Sequence, residues 1–313
     1  MTMATNILKR NRTRPGLNAG AKKKYSVSRT SRTFYWMVVP ALILFLILHT
    51  LPTLTGMFFS LTNYAGYGEW DFVGLKNYAN LFKDDRILSS YGFTFLFAVT
   101  TTIVVNVGAL FIAILLNAKI KFQTAFRGIF FIPNILSVLI VGYVFNYLLS
   151  NNLPLVGQWL GIDWLSTSIL ANPDLAWLGI VGVTAWQSIA FSVIIYLAGL
   201  QTVPGELYEA ASLDGASAWK QFWSITFPLI AGFFTINMVL ALKGLLQAFD
   251  QIVALTNGGP GTSTESVAMV IYRGGFQGGE YGYQMANSVV YLVVIVVLSL
   301  LQMRVLQRKE VDI

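Results

Sequence analysis

The chain reads as an all-α integral membrane protein with six transmembrane helices and a polar, partly helical loop between the fourth and fifth. Apolar residues make up 55% of its 313 and charged residues 11%, with a mean hydropathy of +0.63. So few polar side chains cannot coat a water-soluble globule of this size. The charges fall in clusters that leave uncharged runs at 33–68, 87–118, 128–162, 175–205, 221–242 and 281–303. Each run holds the ~20 residues that carry a helix through the bilayer's hydrocarbon. The runs are continuously apolar, whereas a membrane barrel alternates in segments of ~10 residues.

Trimmed at their polar flanks, the runs predict spans at 34–60, 91–117, 128–149, 175–200, 225–248 and 284–305. They sit in one transmembrane domain, 34–306, between a basic tail at 1–33 that is expected to be disordered and a short tail at 307–313. The first tail holds Lys9, Arg10, Arg12, Arg14, Lys22, Lys23, Lys24, Arg29 and Arg32, and its side also receives Lys119, Lys121, Arg127, Lys220, Arg304, Arg308 and Lys309. Opposite them lie Lys76, Lys83, Arg86 and Arg273, while Lys243 falls within a span. Sixteen of the 21 bases on one side predict that both termini are cytoplasmic, in a multi-pass protein of a plasma membrane. Next to anionic lipid, the basic tail reads as a topology signal rather than a nucleic-acid or targeting segment. The first apolar run is too long for a cleaved signal peptide and is expected to stay as an anchor.

The remaining loops are modest. In 61–90 the stretch DFVGLKNY is expected to form a short interfacial helix, with Trp70 and Tyr78 suited to the headgroup layer. Loop 150–174, with Asn151, Asn152, Pro154, Gly157, Trp159 and Trp164, reads as turns plus a partly embedded segment. His49, alone in the first span beside Pro52, has no second ligand at metal spacing and reads as a hydrogen-bonded structural residue. Cysteine is absent, so no disulfide, thiol nucleophile or Cys-ligated metal is on offer. Met57, Met238, Met269 and Met285 share no spacing and read as packing.

The segment PGELYEAASLDGASAWKQFWSITFP, within the loop 202–224 and the entry to the fifth span, carries the sharpest signal. Thr202 and Pro204-Gly205 are start signals for a short helix, and Glu206 and Glu209 fall near its positive N-terminal end. Leu207, Ala210, Ala211 and Asp214 recur at helical spacing and give one face small enough for close contact. Gly215 is placed to adopt a left-handed conformation, ending the helix before a second begins near Ser217. Trp219, Phe222 and Trp223 would anchor that second helix at the interface before Pro228 starts or kinks the fifth span. A helix lying on lipid would favour Lys and Arg on its polar face, whereas this one presents Glu206, Glu209 and Asp214, which favours a protein partner.

At these residues the chain resembles the permease subunits of bacterial ATP-binding cassette importers. Their EAA loop reads EAA, three residues, Gly, nine residues, then Ile-x-Leu-Pro. Glu209-Ala210-Ala211, Gly215, Ile225 and Pro228 match, with Phe227 in place of the usual Leu. The segments FVGLKNYANLF, FRGIFFIPNILS, YLAGLQTVPGELYEAASLDGA and LTNGGPGTSTESVAMVIYRGGF extend the likeness to the sugar permeases, which include the maltose, lactose, raffinose and glycerol-phosphate systems. Within that group the chain is similar to the maltose-F-like partner. Phe93-Thr94-Phe95 departs from a common Asn-Thr near the second span and removes a polar side chain there.

The resemblance implies binding-protein-dependent import of a carbohydrate, or of glycerol phosphate, across the inner membrane. It implies pairing with a second, homologous permease, docking onto two cytoplasmic ATPase subunits and delivery of solute by an extracytoplasmic binding protein. Glu209, Ala210, Ala211, Asp214, Gly215 and Pro228 would then form the ATPase-coupling element, with ATP and Mg held by the partners and no cofactor by this chain. No G-x-x-x-x-G-K-[ST] phosphate loop is present, and the GGPG at 258–261 is too short to replace one. Lys243, Gln247 and Asp250 fall at i, i+4 and i+7 and are expected on one face of the fifth span, as candidates for the solute pathway or for an ion pair between helices. Asn106, Asn146, Trp186 and Gln187 are further pathway candidates, with Trp186 suited to stack on a sugar ring. An ion-coupled secondary carrier would need buried carboxylates, of which Asp250 is the one close candidate. A membrane enzyme would need a cluster of nucleophile, base or metal ligands that the sequence does not display.

Overall fold

The computed structural model describes residues 27–118 and 121–307. Most of the basic tail and the last six residues therefore lie outside the described residues, and 27–33 form the opening turns of a helix. The chain divides into two compact units, Met1–Thr53 and Leu54–Ile313. In the first, helix Val27–Phe45 carries Pro40 and runs on through a π-helical turn, Leu46–Thr50. His49 lies in that turn, its ring 4.9 Å from that of Phe45, and its carbonyl accepts from the Thr53 hydroxyl. The stretch Tyr35–Phe59 (α1) is long and apolar enough to cross a membrane.

Among its described residues the second unit has helices, turns and loops and one isolated antiparallel bridge, between Thr62 and Phe72. Its elements are α2 (Lys76–Leu81), α3 (Asp85–Asn117), α4 (Gln123–Ile135), α5 (Val138–Leu160) and α6 (Ala176–Leu200), and α7 (Gly205–Leu213). There follow α8 (Ala218–Leu229), α9 (Ala231–Leu246), α10 (Asp250–Leu255), α11 (Val267–Tyr272) and α12 (Tyr281–Gln307). Among the described residues, five helices meet the length and hydropathy of a span, and a sixth is gained when the bent pair α8–α9 is counted as one.

Four expected spans lie close to these helices, and their ends have local causes. The helix at the second begins at Asp85 rather than 91 because the Asp84 carboxylate accepts from the backbone N–H groups of Arg86 and Ile87 and so caps it. Two spans depart from expectation. The run at 128–149 is not one helix: α4 ends at Ile135, Leu136 and Ser137 are extended, and the membrane-length helix is α5. Pro133 lacks the N–H that would bond the Ile129 carbonyl one turn back, and just beyond the end of α4 the side-chain amide of Gln187 donates to the Leu136 carbonyl at 2.9 Å. The run at 225–248 bends by 70° between α8 and α9, at Ile230, just past Pro228. The short helix of the first loop is α2, slightly later than DFVGLKNY suggests, and 150–174 is more helical than its turn residues imply, with 3-10 turns at Asp163–Leu165 and Ile169–Ala171 after α5.

The centre of the unit is α3 packed along α6, with α9 against α3 and α10 against α5. Ala98, Ala109 and Ala113 on α3 are fully buried, and small residues of this kind let helix backbones approach without a hydrophobic drive from the lipid. Gly142 serves α5 in the same way, since a Cβ there would stand 2.4 Å from that of Ala254 on α10. Phe97, Ile180, Leu246, Ile252, Val267 and Met269 fill the main core. The Tyr291 hydroxyl of α12 donates to the Leu246 carbonyl at the end of α9, so that terminus is not left unpaired. Leu292, Val293, Val296 and Val297 of α12 are exposed, as a lipid-facing helix requires.

Candidate functional site

Between α6 and α9 the chain builds an exposed knob. Pro204 precedes α7 in an extended conformation, with no side-chain cap, so Thr202 does not start the helix as its residue type suggested. Its hydroxyl instead donates backward to the Gly199 carbonyl at the end of α6. Glu206, Glu209, Ala210 and Asp214 are exposed and Ala211 half-exposed. Gly215 turns the chain at φ +74°, with the Ala216 N–H donating to the Ala211 carbonyl at 2.9 Å and the Gly215 N–H to that of Ser212 at 3.1 Å. Ser217 then caps α8, its side chain accepting from the Lys220 N–H.

Beyond the cap, Trp219, Phe222, Trp223 and Phe227 form a contiguous aromatic ladder, which continues to Phe234 of α9 at 5.4 Å. The residue that sequence reasoning overlooked is Leu213, 90% exposed at the tip of the knob. Its position beside Asp214-Gly215 concealed it, because a leucine in a helical pattern is ordinarily assigned to the inside. The tip of the knob thus presents an uncovered leucine beside a carboxylate.

A second feature is a cleft of 270 Å³ enclosed by α3, α4, α6, α9 and α10. Asn134, Ser188, Ser192, Asn237 and Gln251 supply amides and hydroxyls, Phe191 an aromatic ring and Gly244 a bare stretch of backbone. Asn237 is buried and donates to the Ser192 carbonyl at 3.1 Å, tying α9 to α6 across the cleft. No Lys, Arg, Asp or Glu is among the lining residues. Ser188 and Ser192, one turn apart on a span, were the legible signal for this wall, and Asn237, the one asparagine of the fifth uncharged run, was the other.

None of the seven residues singled out for the pathway lines this cleft. Asn106 is buried, accepting from the Tyr196 hydroxyl at 2.7 Å and donating to the Thr102 carbonyl, and so joins α3 to α6. Gln187 is buried against the α4–α5 break. Asn146 donates to the Leu255 carbonyl at 2.6 Å, holding α10 to α5. The Trp186 ring tilts against Phe145 at 5.2 Å, leaving the indole partly exposed. Lys243, Gln247 and Asp250 do not share a helical face, because α9 ends at Leu246, Gln247 is its cap and Asp250 opens α10. All three are exposed, and Lys243 and Asp250 form no ion pair with each other. Among the described residues no group of His, Asp and Glu is arranged to hold a metal.

At the far end of α9 from the knob, the chain closes on an ion cluster. The Glu265 carboxylate, 2% exposed, accepts two bonds from the Arg86 guanidinium at 2.8 Å and one from Arg273 at 3.1 Å. Arg273 also donates to the carbonyl and side chain of Asn257. Burial alone would raise the Glu265 carboxyl, but the bonds and charges of the two arginines outweigh it and hold the group below the ordinary carboxylate value. Thr94 meets the same loop, its hydroxyl accepting from the Val267 N–H and donating to the Ser90 carbonyl, so a polar contact persists where the sequence departs from Asn-Thr.

A bundle of membrane-length helices, interrupted by an exposed helix–glycine–helix knob and bordering an uncharged cleft of mixed polar and apolar lining, has the make-up of a membrane permease. Residues 106–311 match the binding-protein-dependent transport system inner membrane component, and the chain belongs to that family. It is 38% identical to a multiple sugar-binding transport system permease protein of Streptococcus mutans, over 88% of this chain and 97% of that one. A probable starch degradation products transport system permease protein of Thermoanaerobacterium thermosulfurigenes is 33% identical, with 89% and 96% covered. A trehalose/maltose transport system permease protein of Thermococcus litoralis is 30% identical, with 92% and 97% covered. In fold, the chain matches a bacterial ABC transporter involved in the import of the acidic polysaccharide alginate, with a TM-score of 0.77 over 89% of this chain and 96% of that one at 23% identity.

Proposed function

We propose that this chain forms half of the translocation pathway of an ATP-driven carbohydrate importer. It pairs with a second permease, receives solute from an extracytoplasmic binding protein and couples to two cytoplasmic ATPases through the knob at 202–224. Both termini and the knob face the cytoplasm, a reading supported by sixteen of 21 bases falling on that side. The observation that carries the proposal is the knob itself. Glu209, Asp214 and Leu213 stand uncovered around a left-handed Gly215, and the same segment leads through Pro228 into the 70° bend of the fifth span. The carboxylate of Glu209 is free to meet a basic group, Ala210 and Ala211 admit a close neighbour, and Gly215 sets the angle.

The cleft supports a neutral, hydroxyl-rich solute. Amides and hydroxyls exchange hydrogen bonds with sugar hydroxyls, and Phe191 offers a face for a pyranose ring. One relative of lower identity, from Agrobacterium fabrum, is named a glycerol-3-phosphate transport system permease protein. A phosphate favours a charge-assisted donor, and the lining of this cleft includes no cation.

Reconstitution of the chain with its second permease, ATPases and binding protein tests the proposal. Hydrolysis should rise when the binding protein carries a neutral mono- or oligosaccharide, and Asn134→Leu, at an exposed amide of the cleft lining, should lower the maximal transport rate about tenfold or more, by leaving solute hydroxyls unpaired. Stimulation by glycerol phosphate and by no sugar would overturn the choice of solute. Failure of any ATPase to co-purify would overturn the coupling.

A further inference from the structure

The knob contains a joint that should be weak. Gly215 has no Cβ, a left-handed backbone and nothing within 4 Å of where a Cβ would stand, so the turn alone does not fix the angle between α7 and α8. Two side-chain ties span it. The Gln221 amide reaches back from α8 to the Ser212 hydroxyl at 3.1 Å and the Ala216 carbonyl at 3.0 Å, and Ser212 in turn donates to the Tyr208 carbonyl at 2.7 Å. Farther along, the hydroxyls of Tyr208 on α7 and Thr226 on α8 meet at 2.8 Å.

The second tie has the longer reach. Tyr208 belongs to the exposed half of the knob, next to Glu209, whereas Thr226 is buried two residues before Pro228. Thr226 also closes a π-helical turn, Phe222–Thr226, whose looser ladder is a less rigid conductor than an α-helix. With this bond in place, a displacement of α7 reaches the base of the fifth span directly, without passing through Gly215 or the π turn.

We propose that Tyr208 and Thr226 are positioning residues for coupling, whose shared hydrogen bond makes the knob and the base of the fifth span move as one body. The inference rests on the coupling role proposed above for the knob. It touches neither Glu209 nor the cleft, so the bond acts on how motion is passed on rather than on docking or solute recognition. Without it the knob pivots at Gly215 and hydrolysis proceeds with less solute moved.

The test is the number of solute molecules transported per ATP hydrolysed, in proteoliposomes holding the complete assembly loaded with binding protein and sugar. Tyr208→Phe and Thr226→Val each remove one hydroxyl at nearly constant volume. Each should leave the amount of co-purifying ATPase unchanged and lower the transport-to-hydrolysis ratio about threefold or more, the order expected for loss of one hydrogen bond. Thr226→Ser, which keeps the hydroxyl, should restore the ratio. A purely structural role would instead lower abundance and leave the ratio of surviving complexes at wild type. Should Tyr208→Phe fail to reach the membrane, the Val and Ser variants at 226 decide the matter. Wild-type ratios in both hydroxyl-less variants, alongside loss of coupling in a bulky Gly215 variant, would overturn the inference and leave the knob's role standing. Absence of ATPase from the wild-type preparation would remove that role, and the inference with it.

Discussion

The two turns that flank the fifth span use the same device, a glycine in left-handed conformation, to opposite ends. At Gly258, φ +81°, the surroundings are full: a Cβ would stand 2.9 Å from the Met269 sulfur and 3.3 Å from an Arg273 nitrogen, and Glu265 with its two arginines closes the loop. At Gly215, φ +74°, the space is empty and the neighbouring carboxylates and Leu213 face outward. One turn is completed by its own chain, and the other is left open. Finished packing marks one end of the span and open surface the other, and on the function proposed above the open end is the one that meets a partner.

Substitution at Gly215 should break the contrast most strongly. Gly215→Trp pays about 1–2 kcal/mol for a side chain in the left-handed region and obstructs docking, so transport should fall by more than tenfold while purified permease melts within a few degrees of wild type. Normal stimulated transport at normal abundance would remove the knob from the mechanism. Glu265→Ala should do the reverse, costing on the order of 2 kcal/mol through lost charged hydrogen bonds. The cost stays below that of a fully buried pair because Arg86 is half-exposed and can turn to water. Thermal unfolding of that variant should shift, with transport per folded molecule retained.

Leu213→Ser should weaken association with the ATPase about tenfold, in line with ~1.5 kcal/mol for an uncovered leucine that becomes buried in a partner, without lowering stability. Pull-down titration against the cytoplasmic subunits measures it. The smallest effect is on pH dependence. The folded Glu265 carboxyl lies below its unfolded value, so its stabilisation is complete above the unfolded value and is lost as pH falls through the folded one. Unfolding curves should show this contribution intact down to the ordinary carboxylate range and fading only in stronger acid. Earlier loss would mean that the arginines do not outweigh burial.

The membrane fold was legible because uncharged runs are a one-dimensional property: Ala176–Leu200 and Tyr281–Gln307 can be read within a few residues from where charges stop. Breaks were harder. Pro133 and Pro228 were visible, but whether a proline kinks, starts or splits a helix depends on which distant groups donate to the carbonyls left at the break, and Gln187 lies 51 residues from the Leu136 carbonyl it caps. The left-handed turn at Gly215 followed from local chemistry alone. The cleft did not, because an asparagine in a span announces only that it needs a partner. Asn106, Asn146 and Asn237 all spend side-chain hydrogen bonds on tying helices together, and of the three only Asn237, not singled out, also borders the cleft. The expected polar stripe through Lys243, Gln247 and Asp250 assumed an unbroken helix, and the end of α9 at Leu246 removes that premise.

The bend at Ile230 gives the fifth span the geometry of a bell-crank. On the coupling proposed above, two arms set at 70° would turn a pull on one into a sideways swing of the other, so that α9 would sweep across its neighbours rather than be dragged lengthwise through the bilayer. Straightening that corner would leave both arms intact and remove the change of direction.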